Sequence, residues 1–80
     1  MKLWIGNVSS DTTSEELQSL LRKYGVPGFD DMLQVPGDGS RPGVLLTFGD
    51  VSAELLHGIA HRLNGMYWKH RGLTVRVMQH

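Results

Sequence analysis

The stretch Lys2-Leu3-Trp4-Ile5-Gly6-Asn7-Val8 decides how the rest of the chain is read. Its aliphatic and aromatic residues suit a short strand, Gly6-Asn7 ends the run, and Ser9 to Thr13 supply turn and capping residues. The apolar period then changes. Thr13 and Glu16 have capping-box spacing, and Leu17, Leu20, Leu21 and Tyr24 recur at i, i+3, i+4 and i+7 until Gly25. That pattern predicts an amphipathic helix with one buried stripe.

After the breakers Pro27-Gly28 the run FDDMLQV is a weaker strand. Either Met32 with Gln34 or Leu33 with Val35 can face the core, and Leu33 and Val35 are the preferred pair. The segment from Pro36 to Gly43 is dense in turn formers and reads as a flexible hairpin loop, followed by a third strand from Val44 to Phe48. Asp50 or Ser52 can cap a second helix, with Leu56, Ile59, Ala60 and Leu63 as its apolar stripe and Asn64-Gly65 as its stop. Met66 to Arg71 fits a short edge ribbon. Leu73 to Met78 alternates cleanly, with Leu73, Val75 and Val77 inward and Thr74, Arg76 and Met78 outward. The order is βαββαβ, with no internal repeat or linker.

Eighty residues suffice for one core and not for two, so residues 1–80 are expected to form a single domain. The absence of cysteine excludes disulfides, thiolate nucleophiles and cysteine-based metal sites. No apolar run is long enough to span a membrane, and Met1 leads into Lys2-Leu3-Trp4-Ile5 without the features of a cleaved leader, so the expected setting is cytoplasmic. Eight acidic residues balance eight lysines and arginines. The balance is uneven along the chain, because the last acid is Glu54, whereas Arg62, Lys69, Arg71, Arg76 and all four histidines follow it. A locally positive surface can result.

Two segments resemble the RNA recognition motif family. Leu3-Trp4-Ile5-Gly6-Asn7-Val8 is similar to the family's first-strand signature, aliphatic-aromatic-aliphatic-x-Asn-aliphatic. Leu63-Asn64-Gly65 followed by Arg71, Leu73 and Val75 is similar to its passage from second helix to last strand. The resemblance covers nearly the whole chain and implies a ferredoxin-like βαββαβ sandwich, α+β in class, with a four-stranded antiparallel sheet and two helices on one face. The third-strand signature departs from the pattern. It reads Arg41-Pro42-Gly43-Val44-Leu45-Leu46-Thr47-Phe48, with Gly43 and Leu45 where the family places base-stacking aromatics. A glycine at 43 raises the expectation of a backbone conformation closed to larger residues.

In this family aromatic residues of the first and third strands stack on unstacked bases, each stack contributing roughly 1 to 3 kcal/mol. Strand alternation puts Trp4, Gly43, Leu45, Thr47 and Arg76 on one face, opposite Leu3, Ile5, Val44, Leu46 and Phe48. One platform, Trp4, survives of three. The candidate RNA-binding set is Lys2, Trp4, Asn7, Arg41, Leu45, Thr47, Tyr67, Lys69, Arg71, Arg76 and Met78. Lys2, Arg41, Lys69, Arg71 and Arg76 are the phosphate contacts in it. Tyr67 is expected at the sheet edge and Trp68 in the core. The partner implied is single-stranded RNA, bound weakly by a monomer.

An enzyme is not expected, because no phosphate-cradling loop with a catalytic arginine follows the first strand. No cofactor is expected either. His57 and His61, at i and i+4, offer two metal ligands without the carboxylate of a catalytic zinc motif. The rival reading is a protein-interaction module, since family members lacking the third-strand aromatics often bind proteins, and the zero net charge agrees with it.

Overall fold

A computed structural model describes residues 1–9, 11–26, 28–35, 42–49 and 51–78. Among these described residues six strands and two helices follow one another: β1 (Lys2–Gly6), α1 (Ser14–Lys23), β2 (Asp31–Val35), β3 (Gly43–Thr47), α2 (Ala53–Leu63), β4 (Tyr67–Trp68), β5 (Arg71–Gly72) and β6 (Thr74–Met78). Four strands form an antiparallel sheet in the order β2-β3-β1-β6, and β4 pairs with β5 in a separate ribbon. The loop segment 36–41 lies outside the described residues.

The expected capping box opens α1. Thr13 Oγ1 accepts from the Glu16 amide at 3.2 Å, and Glu16 Oε1 accepts from the Thr13 amide at 2.9 Å. At its other end Gly25 adopts φ +75°, the Val26 amide donates to Leu21 O and the Gly25 amide donates to Arg22 O. Those two bonds satisfy terminal carbonyls that would otherwise lack partners. Tyr24 departs from the expected stripe. It sits at the C-cap, is exposed, and its hydroxyl donates to Met66 Sδ, because the helix ends before the ring can turn under the sheet.

Ser52 caps α2, and the four expected residues Leu56, Ile59, Ala60 and Leu63 are its buried ones. They join Leu17, Leu20 and Leu21 of α1 against Leu3, Ile5, Val44, Leu46, Leu73 and Val75 in one apolar cluster, so both helices cover the same sheet face. Asn64 accepts the Val75 amide at Oδ1 (3.0 Å), while the Gly65 amide donates to Leu73 O. The segment read as a helix stop therefore also fastens α2 to the last strand. Phe48, one residue past β3, is buried and exchanges two backbone bonds with Met1.

The register of β2 overturns the preferred inward pair. Met32 pairs with Leu46 and Gln34 with Val44, on the core side, whereas Leu33 pairs with Leu45 and Val35 with Gly43, on the outer side. Leu33 is 57% exposed. The inner rim of this edge strand tolerates a polar residue because the Gln34 side-chain amide donates to Thr12 O at 3.0 Å. Among the described residues no helix is long and apolar enough to cross a membrane.

Candidate nucleic-acid interface

Strand pairing arranges the uncovered sheet face in three rows. Leu33, Leu45, Trp4 and Arg76 form the middle row; Asp31, Thr47, Lys2 and Met78 lie on one side of it, and Val35, Gly43, Gly6 and Thr74 on the other. The middle row is apolar up to its last member. Leu45 and Trp4 are half-buried, and Leu33, Arg76 and Met78 are exposed.

The indole of Trp4 leans along the strand over the Gly6–Gly43 pair. A methyl group added to Gly43 would stand 2.3 and 2.4 Å from Cη2 and Cζ2 of Trp4, and 3.0 Å from Ile5 O. One added to Gly6 would meet Nε1 at 2.9 Å. Both glycines are buried although they lie in the outward phase. Gly43 has no positive φ, so the expected backbone constraint is replaced by a steric one. The tryptophan occupies the space that a ring at position 43 would take.

The structure brings Lys2, Trp4, Leu45, Thr47, Arg76 and Met78 onto one face and leaves the other described candidates off it. Asn7, at φ +64°, donates its Nδ2 to Gly72 O at 2.9 Å and so ties the end of β1 to the ribbon. Tyr67 is 71% exposed, on the ribbon, where its ring meets His70 edge-on; Arg71 is exposed on the same ribbon. Trp68 is half-buried against the core, near the expected position. Arg41 lies outside the described residues.

Lys69 is turned to the helical side. Its ammonium stands 3.0 Å from Glu16 Oε2, 3.5 Å from Asp11 Oδ1 and 5.6 Å from the centre of the Trp68 ring. Bonding to Glu16, then the Asp11 charge, raise its pKa above the ordinary lysine range. Asp11 is held below the usual carboxylate range chiefly by the Ser9 hydroxyl, then by Lys69; Glu16 is lowered chiefly by the Thr13 amide, then by Lys69. This cation is spent on α1. Among the described residues the positive charge left on the sheet face is that of Lys2 and Arg76, with Asp31 opposing it.

Sequence reading missed Leu33 on this face and the seating of Trp4 on the two glycines. Leu33 was hidden by the even choice between alternating pairs in β2, and the glycine floor under Trp4 required knowing that Gly6 and Gly43 are paired neighbours. Two outward-phase glycines flanking a tryptophan were the available signal. Among the described residues no group of three histidine, cysteine or acidic side chains is arranged to hold a metal, and His57 and His61 are exposed on α2. Comparison of the chain with protein-family models and with curated proteins finds no match.

Proposed function

We propose that this chain is an RNA recognition motif-like domain of ferredoxin-like topology that binds single-stranded RNA weakly through its uncovered sheet face. The observation that carries this reading is the seating of Trp4. Its indole rests on two paired glycines at the middle of the sheet, half-buried, with Leu45 paired on one side and Arg76 on the other. A ring held down in this way is a preformed surface for one unstacked base, and stacking on it needs no rearrangement of the strand. Arg76 can lie under the neighbouring base or meet its phosphate, and Lys2 supplies a second phosphate contact. Asn7 and Lys69 position the ribbon and α1 in this reading and do not touch the ligand. The domain binds without metal, cofactor or chemical turnover, in the cytoplasm.

Titration of the full chain with random single-stranded RNA tests the proposal. Shifts should centre on the amides of Trp4, Leu45 and Arg76, with a salt slope near 0.7 per neutralised phosphate. Unmoved sheet-face amides at high RNA concentration would sink it. A protein ligand on the same face is the second reading, favoured by the exposure of Leu33 in the middle row and of Met78 in the row beside it. It would show as shifts on Leu33, Leu45 and Met78 with a protein partner and none with RNA.

A further inference from the structure

The main sheet ends in two strands of different character. Natural sheets blunt their edges with lysine, proline, bulges or very short strands, because an open row of backbone groups invites another strand. The β6 edge has such a guard. Its central residue is Arg76, so pairing with a second β6 about that centre would set arginine against arginine.

Among the described residues the β2 edge has no such central guard, its one charged residue, Asp31, standing at the end of the strand. Asp31-Met32-Leu33-Gln34-Val35 contains no lysine, proline or glycine, and its five residues pair one-for-one with β3 without a bulge. Among the described residues no backbone group outside β3 bonds to it. Its central side chain, Leu33, is the most exposed member of the apolar row.

We propose that two copies of this chain pair antiparallel through their β2 edges about a two-fold axis at Leu33. The strand is complementary to itself in that register. Leu33 meets Leu33, Met32 meets Gln34, and each Asp31 meets the partner's Val35, so no like charges stand opposed. The formal net charge of zero removes overall repulsion between copies. An axis perpendicular to the sheet keeps both uncovered faces on one side, giving an eight-stranded sheet whose middle row runs from Arg76 through Trp4, Leu45 and Leu33 into the second copy. Pairing β2 with β6 instead would leave a free edge at each end and grow without closing; pairing β2 with β2 closes at two. The contact is small, so the dimer is weak and forms as concentration rises. This departs from the monomer expected from the sequence, and it rests on the β2 edge alone, not on the RNA reading.

Sedimentation velocity on the full chain, without RNA and at concentrations rising toward the millimolar range, should show the mass move from 8.9 kDa toward twice that value. Leu33→Lys and Leu33→Glu should each remain monomeric with the parent's thermal midpoint, because the side chain they replace is exposed. An equimolar mixture of the two should dimerise again, since lysine then faces glutamate across the axis. Amide exchange should slow in β2 and not in β6 as the parent associates. A parent that stays monomeric, a mixture that does not recover the dimer, growth beyond two copies, or protection on β6 would each overturn the proposal.

Discussion

The two tryptophans of this domain are both half-buried, one on the core sheet and one on its ribbon, yet their surroundings differ. Trp4 lies on β1 with two glycines beneath it and an arginine paired beside it whose charge faces solvent. Trp68 lies on the ribbon, packed against the core, with Lys69 over its ring and that lysine held by two carboxylates of the opposite helix side. The difference teaches that two half-buried aromatics can differ in what their neighbouring cations are already bonded to. Among the described residues Arg76 has no carboxylate partner, which in the proposed reading leaves it and the Trp4 ring to a ligand, whereas Lys69 is already paired over Trp68.

The largest expected effect breaks the seat of Trp4. Gly43→Phe should destabilise the domain by about 3 kcal/mol, at the upper end of overpacking costs, because the new Cβ meets both the indole and the Ile5 carbonyl. Urea unfolding measures this, and the cost should fall sharply when Trp4→Ala is made in the same chain, the mark of coupled neighbours. Equal costs in both backgrounds would mean that the backbone at Gly43, and not the indole, sets the limit.

Next in size is the functional split between the two rings. Trp4→Ala should lose roughly 1 to 3 kcal/mol of RNA affinity while the domain stays folded, whereas Trp68→Ala should lose stability through its emptied contacts and leave the affinity of the folded fraction unchanged. Calorimetric titration beside thermal unfolding on the same samples separates the two. If Trp4→Ala stays folded and binds RNA like the parent, the sheet face is not the RNA site and a protein ligand becomes the better reading.

A gain is expected from Leu45→Phe. This side chain is half-buried in the middle row between Leu33 and Trp4, and a ring there offers a second base platform worth about 1 kcal/mol, the low end for a stack on an unoptimised surface. Unchanged affinity in a stable variant would show that Trp4 works alone.

The smallest effect sharpens the contrast from the side of Trp68. Asp11 and Glu16 have pKa values depressed by folding, so their link to Lys69 contributes above the ordinary carboxylate range and is lost as pH falls through the lowered values. Lys69 is raised, so its share is complete below the ordinary lysine range and is lost only as pH climbs through the raised value. The partners are partly exposed, which keeps the effect small and salt-sensitive. In a Trp4→Phe chain the emission of Trp68 should change at both extremes and stay flat between them; a change confined to the range between them would show that the link of Lys69 to Asp11 and Glu16 does not govern the ring.

What could be read from residues alone was whatever is local or strictly periodic. The capping box of Thr13 and Glu16, the α2 stripe from Leu56 to Leu63 and the alternation from Leu73 to Met78 each state their geometry within a few positions. The register of β2 was not legible because an edge strand has only one pairing neighbour and its inner rim accepts Gln34 once Thr12 O bonds its amide. The internal partners of Asn7 and Lys69, namely Gly72, Asp11 and Glu16, were not legible either, because the ribbon and not nearness in sequence brings them together. The same limit hid the pairing of Gly6 with Gly43.

That pairing has a corollary for substitution. Positions 4 and 43 share one volume, which a tryptophan fills from the first strand or a bulkier side chain fills from the third. The two occupancies compete in this backbone, so the cost of an aromatic at 43 depends on whether the residue at 4 has already shrunk. The chain with glycine at 43 and a small residue at 4 would have bare backbone at the centre of its sheet.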